Sequence, residues 1–119
     1  MPARIHIVDD EPLIAENIKA DLTDAGFEVV GMASRVDKAL KLFDEIECDA
    51  AILDANLAGV SAVTAAAALS RRKIPFIVLS GYTRDQLPFE FAGAEYIQKP
   101  YQSRKLIPTL TQILDRYKN

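Results

Sequence analysis

Five short apolar runs alternate along the chain with segments whose apolar residues recur at helical spacing. The first run, 4–8, is rich in β-branched residues, and the runs together predict strands at 4–8, 27–33, 50–54, 76–80 and 94–98. Strands that alternate with helices fold into a parallel sheet with right-handed crossovers, and 119 residues suit one core. We therefore predict a single doubly wound α/β domain over residues 1–119, with a five-stranded parallel sheet flanked by helices.

The segments between the runs predict helices with unequal strength. The clear helical patterns lie at 12–25, 61–73 and 103–117 and in the segment that begins at Ser34. Residues 82–93 form a shorter segment that contains Pro88, and a proline inside a helix costs about 3 kcal/mol. We expect this fourth helix to be short or irregular and to be anchored by Leu87, Phe89 and Phe91. Pro108 lies inside the last helical pattern, so the residue at which that helix begins is not predicted.

Composition narrows the class of protein. The net charge of −3 argues against direct nucleic-acid binding, which needs a basic surface. No apolar run approaches the length of a membrane span. Cys48 is the single cysteine, so an internal disulfide is impossible and a reducing, cytoplasmic location is expected.

Polar residues follow four of the predicted strands. Asp9 and Asp10 follow the first strand, Asp54 ends the third, Ser80 ends the fourth and Lys99 follows the fifth. In open parallel sheets, ligands bind at the carboxyl ends of the strands, so we expect these five side chains to form one site. A single aspartate at a strand end is usually a cap or turn residue, but four strand ends together indicate a functional site.

The residue types indicate phosphoryl transfer. Carboxylates that lie close together repel one another unless cations intervene, and Lys99 supplies one positive charge. Mg²⁺ is the expected second cation because it prefers oxygen ligands, here Asp10 and Asp54. Asp54 could then act as a nucleophile that forms an acyl phosphate, while Ser80 and Lys99 contact phosphoryl oxygens. Glu11 is expected only to complement a helix dipole.

Four short motifs in this order resemble the response-regulator receiver domains of two-component signalling, along essentially the whole chain. They are VDDE (8–11), LDANL (53–57), VLSG (78–81) and YIQKP (96–100). The resemblance implies a flavodoxin-like receiver fold with strand order 2-1-3-4-5. It also implies a phosphorylation-dependent switch that promotes its own phosphorylation and dephosphorylation, rather than a turnover enzyme.

The same resemblance assigns roles to individual residues. It implies a phosphoacceptor, ligands for Mg²⁺ or Mn²⁺, switch residues, and modulators of the phosphate lifetime. The phosphoacceptor is Asp54; the metal ligands are Asp10, Asp54, Asp9 through water, and the backbone carbonyl of Asn56; the switch residues are Ser80 and Tyr96; and a modulator is Asn56. Tyr82 is expected to be a second modulator because it lies two residues past Ser80, where its ring could overhang the phosphoryl site and block water. It further implies that Lys99 contacts the phosphoryl group and that the Lys99–Pro100 bond is cis.

The resemblance also implies partners. His6 is the only histidine and lies within a predicted strand, where we expect a structural role. The phosphodonor would therefore be a separate histidine kinase or histidine phosphotransfer protein, and the output an unidentified downstream protein, with no nucleic acid or membrane bound directly. PFIVLSGY (75–82) is similar to the FAT GUY receivers, many of which stand alone, so we expect a stand-alone receiver or one domain of a longer chain.

Two other functions are less compatible with the sequence. Haloacid-dehalogenase-type phosphatases place a DxD nucleophile motif after the first strand, whereas this chain has adjacent aspartates there and Asp54 after the third strand. A flavodoxin-type cofactor binder needs a phosphate loop rich in Gly, Ser and Thr, and DDEP (9–12) would repel the cofactor phosphate.

Overall fold

The computed structural model describes residues 2–118 and contains one five-stranded sheet in which all neighbouring strands are parallel. The strands in chain order are β1 (Arg4–Val8), β2 (Glu28–Ala33), β3 (Ala50–Asp54), a short pair β4 (Asn56–Leu57) and β5 (Val60–Ser61), β6 (Phe76–Ser80) and β7 (Glu95–Gln98). The order across the large sheet is β2-β1-β3-β6-β7, which confirms the predicted 2-1-3-4-5 arrangement once the short pair is set aside.

Four helices cover the two faces of the sheet. They are α1 (Pro12–Asp24), α2 (Val36–Glu45), α3 (Val63–Arg71) and α4 (Ser103–Lys118). Successive strand residues point to opposite faces, so Leu53 packs with the α2 and α3 side chains while Ile52 packs with those of α1 and α4. Each face therefore has its own buried cluster. No helix within residues 2–118 is both long and apolar enough to span a membrane.

The fourth-helix segment, residues 82–93, is irregular as predicted. It contains two single turns of 3₁₀-helix, Arg84–Gln86 and Phe89–Phe91, on either side of Pro88. Phe91 is buried and Leu87 packs against the same cluster, as expected. Phe89 does not anchor the segment: its side chain is 83% exposed, because a 3₁₀ turn this short can direct only part of its side chains inward.

α4 continues through Pro108, which occupies its sixth position. The proline lacks the N–H that would bond the carbonyl of Arg104. Both residues lie on the exposed side of the helix, so water can bond the carbonyl and the proline ring displaces no core side chain. The helix therefore begins at Ser103, before the proline, rather than after it.

The short pair β4 and β5 was not predicted. It is an antiparallel hairpin whose two loop residues, Ala58 and Gly59, have φ values of 53° and 81°. Positive φ at both loop residues is typical of the type I′ turn that joins two strands most tightly. Ala58 is the unusual member, since a left-handed conformation costs a residue with a Cβ about 1–2 kcal/mol. The hairpin places its loop beside the carboxyl end of β1, as described below.

His6 is fully buried in β1, in keeping with a structural role. Its Nε2 atom lies 2.8 Å from the carbonyl oxygen of Ile46, and burial lowers the pKa of the imidazole. Gly31 pairs with His6 across the sheet. A Cβ at position 31 would lie 2.8 Å from His6 Nδ1 and 2.7 Å from a methyl of Leu42, so the close approach explains a glycine inside a strand.

Candidate functional site

The carboxyl ends of β1, β3 and β6 meet at one edge of the sheet and bring polar side chains out of the core. Asp54 is the last residue of β3, a strand that is buried along its whole length. Asp9, Asp54 and Ser80 are 4%, 4% and 2% exposed. A buried carboxylate is costly unless it is paired or hydrogen-bonded, so the contacts of these groups determine what the site can do.

Lys99 provides the positive charge of the site. Its Nζ atom lies 2.9 Å from Asp54 Oδ2 and 3.1 Å from Glu11 Oε1. Burial raises the pKa of Asp54, and the hydrogen bond from Lys99 opposes that shift. Burial alone would lower the pKa of Lys99, but its bonds with Asp54 and Glu11 outweigh the loss of water and the pKa is raised. Lys99 is therefore a permanent cation beside Asp54.

Glu11 has a contact that the sequence analysis missed. Glu11 lies at the N-terminus of α1, where it was expected only to complement the helix dipole, and its side chain also forms an ion pair with Lys99. The two residues are 88 positions apart in the chain, so no local pattern connects them. Glu11 is thus a fourth carboxylate of the site.

Three backbone amides orient the aspartates. The N–H of Glu11 donates to Asp9 Oδ1 at 2.8 Å, and the N–H of Asn56 donates to Asp54 Oδ1 at 3.2 Å. These are bonds of the Asx-turn kind, which hold a side chain against the chain two residues on. The N–H of Ala58, in the hairpin loop, donates to Asp10 Oδ2 at 2.8 Å. The strained loop thus fixes the carboxylate of Asp10.

The acidic group fits a divalent cation with oxygen ligands. Asp9, Asp10, Glu11 and Asp54 each offer an oxygen, and these four atoms lie within 4.8 Å of one another. Asp9 Oδ2 is buried and has no hydrogen-bond partner. Burial, together with the charge of Asp54, raises the pKa of Asp9 to about 6. An unpartnered, buried oxygen among other carboxylates is the environment that Mg²⁺ or Mn²⁺ neutralises.

The predicted switch residues are linked through the backbone of one residue, Tyr82. Ser80 Oγ accepts a hydrogen bond from the N–H of Tyr82 at 3.0 Å. The hydroxyl of Tyr96 donates to the carbonyl of the same residue, Tyr82. The Tyr82 side chain is 57% exposed at this edge of the sheet. A change at Ser80 can therefore reach Tyr96 through the backbone of Tyr82.

The segment after β7 is hydrogen-bonded to the last residue of β6. The N–H of Lys99 donates to the carbonyl of Ser80 at 2.8 Å. The Lys99–Pro100 peptide bond is cis, which confirms the geometry that the resemblance implied. Ser80 and Lys99, predicted from two separate strand ends, are thus neighbours.

Residues 5–111 match the family described as the response regulator receiver domain. Among curated proteins, the transcriptional regulatory protein PdtaR of Mycobacterium tuberculosis (strain CDC 1551 / Oshkosh) is 29% identical over 122 residues, which cover 99% of this chain and 60% of that protein. The chain spans about half the length of other curated relatives, such as the regulatory protein VanR of Enterococcus faecium, of which it covers 52%.

Solved structures agree with this match. A CheY-like response regulator receiver domain protein from Methanospirillum hungatei JF-1 superposes with a TM-score of 0.88 at 27% identity, over 99% of this chain and 98% of that one. SdrG from Sphingomonas melonis Fr1 superposes with a TM-score of 0.81 at 34% identity, over 95% of this chain and 97% of that one. None of these similarities supports the phosphatase alternative. The chain belongs to the family of response regulator receiver domains of two-component signalling.

Proposed function

We propose that residues 1–119 form a receiver domain that stores a signal as an acyl phosphate on Asp54. An Asp54 carboxylate oxygen attacks the phosphorus of a phosphohistidine on a partner protein. The new O–P bond forms as the P–N bond breaks, and the imidazole nitrogen leaves with the electron pair of that bond and takes up a proton. The observation that carries this proposal is the position of Asp54, buried at a strand end with a lysine on one oxygen and an amide on the other.

Fixed groups around Asp54 would receive the phosphoryl group. Lys99 is the permanent cation that pairs with one phosphoryl oxygen, and the hydroxyl of Ser80 donates to another. Asp9, Asp10, Asp54 and the carbonyl of Asn56 would hold Mg²⁺ or Mn²⁺. The metal, when bound, supplies positive charge that offsets the repulsion between the carboxylates and the phosphoryl group.

The response of the domain follows from the two hydrogen bonds of the Tyr82 backbone. If Ser80 turns toward a phosphoryl oxygen, its hydroxyl leaves the N–H of Tyr82. The carbonyl of the same residue holds Tyr96, so the preferred positions of Tyr96 and the fourth-helix segment change together. Phosphorylation then shifts an equilibrium between two surfaces rather than creating a new one.

The proposal includes the partners. A histidine kinase or histidine phosphotransfer protein supplies the phosphoryl group, and a downstream protein binds the altered surface. The domain itself promotes only its own phosphorylation and dephosphorylation. A reducing, cytoplasmic compartment suits the unpaired Cys48.

Phosphorylation with acetyl phosphate and MgCl₂ tests the proposal. Mass spectrometry should detect one added phosphoryl group that hydroxylamine removes, as expected for an acyl phosphate. Asp54→Asn should abolish the addition, and omission of the divalent cation should slow it at least about tenfold because the carboxylates then repel the donor. Asp24→Asn, at an exposed position of α1, is the control. Full labelling of Asp54→Asn would refute the assignment.

A further inference from the structure

Arg84 has no role in the site described above, and its side chain contacts three parts of the structure. It is the first residue of the first 3₁₀ turn. Its guanidinium donates to the carbonyl of Ala92 at 3.3 Å and to the carbonyl of Ala94 at 2.8 Å. The Cζ atom also lies 5.7 Å from the centre of the Tyr96 ring. One side chain therefore joins the start of the fourth-helix segment, the end of that segment and β7.

Within residues 83–93, the other hydrogen bonds that the structure describes are local. The N–H of Gln86 bonds the carbonyl of Thr83, and the N–H of Phe91 bonds the carbonyl of Pro88. The side-chain carbonyl of Gln86 accepts a hydrogen bond from the N–H of Thr83. Each of these bonds spans three positions, so it forms a turn but does not fix one turn relative to the other. The bonds of Arg84 span eight and ten positions and do fix them.

The ring of Tyr96 is held at two points. Its hydroxyl bonds the carbonyl of Tyr82, and the guanidinium of Arg84 lies against the ring. A cavity of about 120 Å³ lies beside the ring and is lined by Val78, Leu87 and Phe91 among others. The ring therefore has room to move once both contacts are released. Because the guanidinium is planar with several N–H donors, it can stack on a ring and bond carbonyls at the same time.

We infer that Arg84 is a positioning residue that holds Tyr96 in its unphosphorylated position and couples any movement of Tyr96 to the fourth-helix segment. This inference rests on the proposed function. When the Tyr82 backbone rotates after Ser80 leaves its N–H, the Tyr82 carbonyl moves away from the Tyr96 hydroxyl, and only the Arg84 contact still restrains the ring. Since the same guanidinium holds the carbonyls of Ala92 and Ala94, the ring and the segment move together.

The first experiment uses the unphosphorylated full chain and needs no phosphodonor. Hydrogen exchange is measured for the amides of residues 86–94 in wild type, Arg84→Ala and Arg84→Lys. We expect exchange about fivefold faster in Arg84→Ala, because an exposed cation–π contact and two partly exposed hydrogen bonds are lost. Arg84→Lys keeps the charge but not the planar fork, and should be intermediate.

Arg104→Ala is the matched control, since Arg104 is also exposed and its guanidinium bonds Gln102 two positions away. It should leave exchange in residues 86–94 unchanged. If Arg84→Ala exchanges like Arg104→Ala, Arg84 does not fix the segment and the inference is wrong. Arg84 is itself exposed, so both variants should fold.

The second experiment asks whether Arg84 couples Tyr96 to the fourth-helix segment or only stabilises that segment. Beryllium fluoride with MgCl₂ serves as an analogue of the phosphoryl group, and NMR follows the ring resonances of Tyr96. In wild type these should shift when the analogue binds. In Arg84→Ala they should lie part of the way to the bound position before it is added, so that the remaining shift is at least about twofold smaller.

The outcomes distinguish the two proposals. Tyr96 resonances that start at the wild-type position in Arg84→Ala would overturn the role of Arg84. A wild type whose site residues do not respond to beryllium fluoride would overturn the proposed function, while the exchange experiment would still report whether Arg84 fixes the segment.

Discussion

β3 and the fourth-helix segment both lie next to the candidate site, but β3 is held by strand pairing in the core and the segment by a few surface contacts. All five residues of β3 are buried, and the strand pairs with β1 on one side and β6 on the other. The fourth-helix segment has two short 3₁₀ turns, and most of its residues are exposed. The carboxylate that we propose reacts is thus held by the core, whereas the groups that would respond to the reaction are held by a few hydrogen bonds. A switch needs both, since a rigid element cannot respond and a loose one cannot position a nucleophile.

Hydrogen exchange provides the most direct test of this comparison. Amides of β3 and α3 should exchange only through extensive unfolding, and those of residues 82–93 through local opening. Local opening costs a small part of the global free energy, so protection should differ on the order of 10³-fold or more. Phosphorylation should change the protection of residues 82–93 alone. If these residues are as protected as α3 in both states, the segment is not the movable element.

Two alanine substitutions compare the regions by stability. Leu53 in β3 is fully buried, whereas Phe89 is 83% exposed. Leu53→Ala should lower the free energy of unfolding by about 3 kcal/mol, because it leaves a cavity between the sheet and two helices. Phe89→Ala should change it by less than about 0.5 kcal/mol. Denaturant unfolding monitored by circular dichroism measures both values, and equal losses would contradict the difference in packing.

The buried imidazole of the rigid region makes stability depend on pH. His6 has a lowered pKa, caused by burial and by Arg4, against a reference of 6.5. Well above pH 6.5 it is neutral in both states. As the pH falls below 6.5 the unfolded chain binds the proton first, so stability falls until the pH reaches the folded pKa. The loss is about 1.4 kcal/mol for each unit by which the pKa is lowered.

His6→Gln should remove this fall, even if the variant is less stable at neutral pH. The comparison of the two slopes between pH 7 and 5 isolates His6. Asp9, whose pKa is raised to about 6, acts in the opposite direction because its stability contribution is lost as the pH rises, and it is present in both proteins. Identical slopes in wild type and variant would show that His6 does not titrate in this range on unfolding.

The smallest effect among these predictions is expected for Tyr82→Ala, on the rate of dephosphorylation. The exposed side chain of Tyr82 lies two positions past Ser80, where it can restrict the approach of water to the acyl phosphate. Tyr82→Ala should dephosphorylate about two- to fivefold faster, which is less than 1 kcal/mol of barrier. Loss of phosphate measured over time from labelled protein provides the rate. A rate that is unchanged or slower would exclude Tyr82 from this role.

The sequence was informative where burial determined structure. The bounds of β3 and β6 were predicted correctly because strands covered on both faces leave unbroken apolar runs. The convergence of Asp54, Ser80 and Lys99 followed from the rule that parallel strands end at one edge.

The features that were missed depend on contacts between distant positions or on strained backbone. The pairing of Glu11 with Lys99 arises only in the folded chain. The hairpin was missed because Ala58 is not a usual residue for positive φ, although Gly59 was a signal. Phe89 was expected to pack because it is apolar, but apolar character alone does not determine which side of a short turn faces the core.

Because Gly31 lies so close to His6, the substitutions that evolution can accept at positions 6 and 31 depend on one another. His6 cannot give way easily, because its ring is enclosed and bonded to Ile46, whereas the end of the Leu42 side chain can rotate. A lineage that keeps the histidine must keep the glycine, while one that first acquires a smaller residue at position 6 becomes free to gain a side chain at position 31. Among receivers that share this packing, the two positions should therefore vary together, with the change at position 6 coming first.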